Sequence, residues 1–369
     1  MTLSARLFKS TLRWEGALVV VLLLEIAVFG LLQPRFLNFD RLLASTADFA
    51  YLGIIALPLA IVMMTGGIDI SIGSIVSLSA ICTGISYQLG ANIWVAVTVG
   101  IAVAVLAGLV NGLAIVSTGA QPMVITLGSQ FLFAGLALGV SGLVGVSSFE
   151  GIAGFPDDFV ELSNGTTLGL PNMLLLFLAL AAVFAVLLHK TAFGRRVRLL
   201  GANARAARYS GFNVHSITIR AYLLSALGAG IAGVLLTSYV ASARADIGAN
   251  VLLPVLTLVV IGGVSMFGGE GTLVGVILAT FVIGYLQQGL RFLGMTESEV
   301  AVATGTALIV VASLRWWTAR GAEHFRNRRV RRQHTSLQTT GGISSRTGTT
   351  QPHPSATHAA VSGTSETAN

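Results

Sequence analysis

Apolar runs of bilayer length, repeated along most of the chain, constrain this sequence more than any other feature. A helix needs about 20 apolar residues to cross the hydrocarbon core of a membrane. Ten such runs fit between Gly16 and Arg315, at about 16–33, 50–66, 71–89, 93–117, 123–146, 171–189, 216–241, 252–268, 272–293 and 298–315. In lipid each backbone amide must find its partner internally, and runs of this length do so as helices. The expected fold is therefore all-α, a polytopic membrane protein of about ten transmembrane helices. Charged residues make up only 10% of the chain, against about 25% in soluble domains. That proportion excludes a soluble enzyme and a disordered chain.

Basic residues stay on the cytoplasmic side of a membrane, so their positions give an orientation. With the N-terminus inside, sixteen of the 22 Lys and Arg fall on the cytoplasmic face, among them Arg13, Lys190, Arg195, Arg196, Arg198, Arg205, Arg208 and the cluster 326–332. Four, Arg35, Arg41, Arg244 and Arg291, fall opposite. The loop 147–170 carries Glu150, Asp157, Asp158 and Glu161 with no basic residue and reads as periplasmic. Both termini are expected in the cytoplasm. The first run is full length with no clean cleavage site before Pro34, which reads as an anchor rather than a cleaved signal. Residues 1–315 form the expected transmembrane domain. Beyond it, 316–369 turns basic and then rich in Ser, Thr, Gly and His, the composition of a disordered tail.

Nucleotide and metal chemistry have little to work with. There is no G-x-x-x-x-G-K-[ST] loop and no H-E-x-x-H, and the two lysines, Lys9 and Lys190, lie outside any Gly-rich loop. The single cysteine, Cys82, allows no internal disulfide. His334, His353 and His358 fit no structural zinc spacing, so no metal site is expected. Glu25 is the only clear carboxylate within an apolar run.

Two Gly-rich interruptions break the pattern. Thr65-Gly66-Gly67-Ile68-Asp69-Ile70-Ser71-Ile72-Gly73-Ser74 separates the second and third runs, and the stretch from Gly262 through Gly268, Gly269, Glu270 and Gly271 to Thr272 occupies the corresponding place between the eighth and ninth. Irregular backbone at membrane depth survives only where protein or a water-filled cavity covers it, and paired interruptions of this kind point to a solute path. Asp69, Ser71 and Ser74 then offer hydrogen bonds to a neutral polyol. The opposing readings are a hairpin whose Asp69 caps the third helix, and ordinary small-residue helix packing. Asn111, Gln130, Gln287 and Gln288 stand either in the path or in bonds between helices.

The longest inner loop, 190–215, contains Phe193-Gly194-Arg195-Arg196, then Gly201, Asn203, Ala206-Ala207 and Ser210-Gly211. Residues 202–209 read as a short amphipathic helix with Gly201 before it and Gly211 after it. Such a helix suits the docking of a cytoplasmic motor, and the arginines alone also suit positive-inside anchoring.

These motifs resemble the permeases of ATP-binding-cassette importers of ribose, galactose and related sugars. Phe193 to Gly211 is similar to that family's coupling loop, and Gly66-Gly67-Ile68-Asp69-Ile70-Ser71-Ile72-Gly73-Ser74 to its most recognisable motif. Gln121-Pro122-Met123-Val124-Ile125-Thr126-Leu127-Gly128 and Gly268-Gly269-Glu270-Gly271-Thr272-Leu273-Val274-Gly275 match as well, so the resemblance spans about 14–315. Stretches 55–59, 150–156, 188–191, 242–249 and 284–290 are most similar to the branch that imports the signal autoinducer-2. Ala202, Tyr209 and Phe212 depart from the sugar permeases. The resemblance implies a non-catalytic permease of the bacterial inner membrane, with Phe193, Gly194, Arg195, Arg196, Gly201, Asn203, Ala206, Ala207, Ser210 and Gly211 coupling it to the ATPase. It also implies a path near Gly66, Gly67, Asp69, Ser71, Gly73, Ser74, Asn111, Gln130, Gln287 and Gln288. The implied partners are a second related permease, two ATPase domains that use ATP and Mg, and a periplasmic binding protein. The other readings are ribose, rhamnose or another monosaccharide as cargo, and an ion-coupled secondary transporter built on Glu25.

Overall fold

The computed structural model describes residues 3–145, 151–311 and 313, with side chains from Trp14 onward. Helix α1, Leu3–Leu32, leads through a 3-10 turn at Pro34–Leu37 to α2, Phe39–Ala44, and a second 3-10 turn at Ser45–Asp48. Then come α3, Ala50–Met64; α4, Ile72–Gln88; α5, Ile93–Thr118; and α6, Pro122–Leu143. The next segment holds α7, Asp157–Asn164, and a small antiparallel hairpin, β1, Thr166–Thr167, with β2, Leu170–Pro171. It is followed by α8, Asn172–Lys190; α9, Ala192–Ala202; α10, Ala204–Tyr209; α11, Val214–Val240; α12, Leu252–Ile261; α13, Leu273–Phe292; and α14 over 297–311. The tail expected at 316–369, residue 146 and residues 147–150 of the loop 147–170 lie outside the described residues.

Among the described residues six helices are long and apolar enough to cross a membrane: Trp14–Leu32, Ile93–Thr118, Pro122–Leu143, Asn172–Lys190, Val214–Val240 and Leu273–Phe292. The chain is a multi-pass membrane protein. A seventh candidate is the pair Phe39–Asp48 and Ala50–Met64, bent by 55°. The apolar helices Ile72–Gln88 and Leu252–Ile261 are shorter.

Local chemistry sets the helix ends. Asn92 Oδ1 accepts from Trp94 N at 2.9 Å to start α5, and Gly119, at φ 66°, closes it. Thr296 and Glu299 form a reciprocal capping box at the start of α14, with Thr296 N donating to Glu299 Oε2 at 2.7 Å and Glu299 N to Thr296 Oγ1 at 3.4 Å. Helix α12 stops at Ile261 rather than running to 268, because Gly262 is followed by Gly263 at φ 91°, a left-handed turn that ends the helix.

Helix α3 is apolar all round, and every residue from Leu52 to Met64 is buried, as a helix wrapped by protein on all sides requires. Helix α11 packs against it, and also on α4 and α5, through small residues: a Cβ at Gly230 would come within 2.6 Å of Ala104 and one at Gly233 within 2.5 Å of the Val76 carbonyl. Helices α5 and α6 instead expose Leu106, Val110, Phe131 and Leu132, apolar surface suited to lipid. At the Asp48 end of the bundle, α7 is tied to α11. Ser163 Oγ donates to Leu235 O at 2.9 Å, Ser238 Oγ to Phe159 O at 2.6 Å, and Asn164 Nδ2 to Ser238 O at 3.1 Å.

Candidate functional site

The two Gly-rich interruptions meet in space, and the segment 190–215 lies against both. Gly269 N donates to the Met64 carbonyl at 2.9 Å, joining the end of α3 to the loop between α12 and α13. Gly201 sits against the same two atoms, so that an added Cβ would overlap them both. A Cβ at Gly268 would lie 2.9 Å from Gly66 N and 3.0 Å from Gly201 Cα. Three backbone segments far apart in sequence therefore touch at glycines, without side chains between them. The loop is also held from α1, where Trp14 Nε1 donates to Ile261 O at 2.9 Å and Glu15 Oε1 accepts from Thr272 Oγ1 at 2.6 Å.

The segment 190–215, expected to couple to an ATPase, holds two helices where one over 202–209 was expected. Helix α9 already begins at Ala192, with Thr191 Oγ1 accepting from Gly194 N at 3.4 Å, and Gly201 lies in its last turn. Asn203, in extended backbone, breaks the helix and starts α10 by accepting from Ala206 N at 2.9 Å. Gly194 is buried where a Cβ would overlap the Leu188 carbonyl, so α9 folds back tightly on α8. Phe193 packs on the core, and Ala207 is buried. Arg195, Asn203, Ala206, Ser210 and Gly211 are exposed, and Arg196 stacks over the Phe212 ring at 5.7 Å. Burial pulls the pKa of Arg198 below the usual arginine value. Removing the cap with Asn203→Ala is expected to cost about 1 kcal/mol of local helix stability. Hydrogen exchange should then speed up about fivefold in 204–209 and stay unchanged in α11.

Asp69, Ser71 and Asn111, with Ser225 of α11, form one buried hub. Asp69 Oδ1 accepts from Ser71 N at 3.1 Å and from Ser71 Oγ at 2.7 Å, while Oδ2 accepts from Ser225 Oγ at 2.9 Å. Asn111 Nδ2 donates to Ser71 Oγ at 2.7 Å, and the Asn111 Oδ1 is buried with no hydrogen bond. Ser74 Oγ donates to Ser71 O at 2.8 Å, and Thr126 Oγ1 of α6 to Ile68 O at 3.0 Å. Gly67 gives room to Tyr222, whose hydroxyl an added Cβ would approach to 2.6 Å, and Gly73 meets the Gly248 carbonyl. Asp69 thus bonds the turn around it and α11, rather than the first turn of α4 as a capping residue does.

The remaining expected path residues stand elsewhere. Gln130, on α6, has its Oε1 buried without a hydrogen bond. Gln287 Nε2 donates to Thr304 Oγ1 of α14 at 3.4 Å, and Gln288 donates to Asp48. Both lie near the far end of α13, a helix that starts beside the glycine contact. Among the described residues no cluster of His, Cys, Asp and Glu is able to hold a metal ion. The sequence reading missed Ser225, Tyr222 and Asp48. The small-residue stripe 225–233 signalled close approach along α11, and Asp48 is a carboxylate at the border of an apolar run.

Comparison with known proteins places this geometry. The family described as "branched-chain amino acid transport system / permease component" matches residues 41–312. The autoinducer 2 import system permease protein LsrD of Klebsiella pneumoniae is 44% identical over 303 residues, covering 82% of this chain and 91% of that protein. LsrD of Yersinia enterocolitica is 45% identical over 298 residues, covering 81% and 90%. A solved ABC transporter of the metal-chelate type, in an inward-facing conformation, covers 84% of this chain and 99% of its own at 17% identity and a TM-score of 0.44. The match over 41–312 takes in the hub, the glycine contact and both helices of the segment 190–215, and this chain belongs to the family of transport-system permease components.

Proposed function

We propose that the chain is the permease subunit of an ATP-binding-cassette importer that carries autoinducer-2 across the bacterial inner membrane. The observation that carries this reading is the 44% identity to an autoinducer 2 import permease across nine-tenths of that protein's length. In this reading ten helices span the membrane: α1, α3 to α6, α8 and α11 to α14. The Met64 end and both termini face the cytoplasm, and the Asp48 end faces the periplasm. A second, related permease completes the pathway, and a periplasmic binding protein delivers the solute. Two ATPase domains dock on α9 and α10 and hydrolyse ATP with Mg, and this chain hydrolyses none.

The glycine contact supplies the transmission. A push on α9 reaches Met64 and the loop 262–272 through backbone atoms, and packed backbone is not compressible. Displacement of α9 therefore shifts the end of α3 and the turn that leads to the Asp69 hub. The two ends of α3 lie ~22 Å apart at 1.5 Å per residue, enough for a movement at one end to change access at the other.

The test is uptake by the purified complex in vesicles, with labelled autoinducer-2, ribose and rhamnose offered in turn. ATP-dependent uptake of autoinducer-2 over the two sugars supports the reading, and preference for a sugar overturns the cargo. Glu25→Gln is expected to leave that uptake within twofold of the parent. Uptake by the isolated chain, driven by a proton gradient and lost in Glu25→Gln, is the result an ion-coupled transporter gives.

A further inference from the structure

An open pocket of about 440 Å³ lies at the Asp48 end of the bundle, lined by Arg41, Ala44, Ser45, Asp48, Gln288 and Phe292. Its volume is within the range of small-molecule sites. Three elements hold its carboxylate. Asp48 ends the 3-10 turn before α3, one of its oxygens accepts from the Tyr239 hydroxyl of α11, and the other accepts from the Gln288 amide of α13. Each carboxylate oxygen has a second lone-pair direction, so Asp48 is able to accept from two further hydroxyls. Arg41 is exposed and makes no ion pair among the described residues. Its guanidinium offers a planar fork of donors. Ser45 Oγ gives its proton to Leu42 O at 2.9 Å, which leaves its oxygen as an acceptor. Phe292 adds an apolar wall that is 37% exposed.

A carboxylate and a free guanidinium in one pocket, beside an aromatic ring, match a neutral ligand with adjacent hydroxyl groups. The carboxylate accepts hydrogen bonds from the hydroxyls, the guanidinium donates to the hydroxyl oxygens, and the ring covers the C–H face. An anion would meet Asp48. A cation would meet Arg41 and also Arg291, which stands close enough to Asp48 to interact with it although it pairs with Glu297 at 2.8 Å.

We propose that this pocket is a binding subsite for a neutral ligand bearing a vicinal diol, at the outer mouth of the bundle. The outer placement and the polyol class rest on the import reading above, while the match between pocket and diol rests on the side chains alone. The subsite would be where cargo first meets the permease, before the bundle changes the side to which it opens.

The test is saturation-transfer NMR on the complete permease complex in nanodiscs, without the binding protein, using autoinducer-2, methyl ribofuranoside and methyl 2-deoxyribofuranoside as probes. Transfer to autoinducer-2 and methyl ribofuranoside is expected, with methyl 2-deoxyribofuranoside, whose locked ring has no adjacent hydroxyls, at least fivefold weaker. Arg41→Ala should weaken the transfer at least fivefold, and Arg41→Lys should restore part of it. Arg41 is exposed and makes no ion pair among the described residues, so its replacement is expected to leave the fold intact. No transfer in the parent complex, or equal transfer in the parent and Arg41→Ala, overturns the subsite. ATP-driven uptake by the same complex in vesicles, with the binding protein added, judges the import reading separately: transport of autoinducer-2 with Arg41→Ala silent removes the subsite alone, and binding of diols without transport removes the cargo reading alone.

Discussion

Gly201→Val should abolish solute-stimulated ATP turnover by the assembled complex, with a loss of at least tenfold, while the protein still inserts and purifies with its partners. The reason is geometric. A single Cβ at Gly201 overlaps the Met64 carbonyl and the Gly269 amide, two backbone groups that are already bonded to each other. Overpacking among flexible side chains costs about 1–3 kcal/mol because they rotate away. Backbone has no such freedom, so α9 has to move off the end of α3 and the loop 262–272 at once. The surface on which the ATPase is proposed to act would then be disconnected from the bundle. Gly128→Ala and Gly135→Ala are the matched controls, since a Cβ at either position meets nothing within 4 Å. Both should retain parental turnover. Full turnover in Gly201→Val would show that the force takes another route.

The sequence displayed its apolar runs openly, because lipid leaves a chain few options and the price of an unpaired backbone group in hydrocarbon is several kcal/mol. Helices stand in or near each expected place, but the boundaries moved where glycine geometry decided them. The run read as 252–268 passed through Gly262 and Gly263, and the left-handed turn at Gly263 ends α12 at Ile261. The split between α9 and α10 was in principle legible, since an Asn before Ala-Arg-Ala-Ala is a cap signal. The contact between the two Gly-rich interruptions was not, because a glycine advertises freedom and close approach without naming what approaches. The same limit hid the partners of the polar residues. Asp69 and Ser225 are 156 positions apart, and Asp48 and Gln288 are 240 apart. A lone polar side chain in an apolar run says that a partner exists, while only the packing of helices says which one.

Asp69→Ala carries the largest expected cost in stability. Three buried donors, the Ser71 amide, the Ser71 hydroxyl and the Ser225 hydroxyl, converge on this carboxylate. Asp69, Ser71 and Ser225 are all within 1% of complete burial, so water does not replace the lost acceptor. Each buried donor left unpaired costs about 1–3 kcal/mol, and the hydroxyls are able to turn toward other acceptors, so a total of about 3–5 kcal/mol is expected. Asp69→Asn should cost less, about 1–2 kcal/mol. Its oxygen still accepts from Ser71, and the Ser225 hydroxyl is able to reverse and accept from the new amide. Ser225→Ala, which leaves one carboxylate oxygen unpaired, should fall between them. The order parent, Asn, Ser225→Ala, Asp69→Ala is to be read from thermal unfolding midpoints of the purified complex. A midpoint for Asp69→Ala equal to that of the parent would remove the hub. The loss should extend beyond stability. Asp69 lies three residues past Gly66, whose amide abuts Gly268 in the glycine contact, and the hub fixes that turn against α5 and α11. Below its unfolding temperature the Asp69→Ala complex should therefore still hydrolyse ATP at the basal rate while losing most of the stimulation by solute, because the turn proposed to carry the movement of α9 into the bundle has lost its anchor.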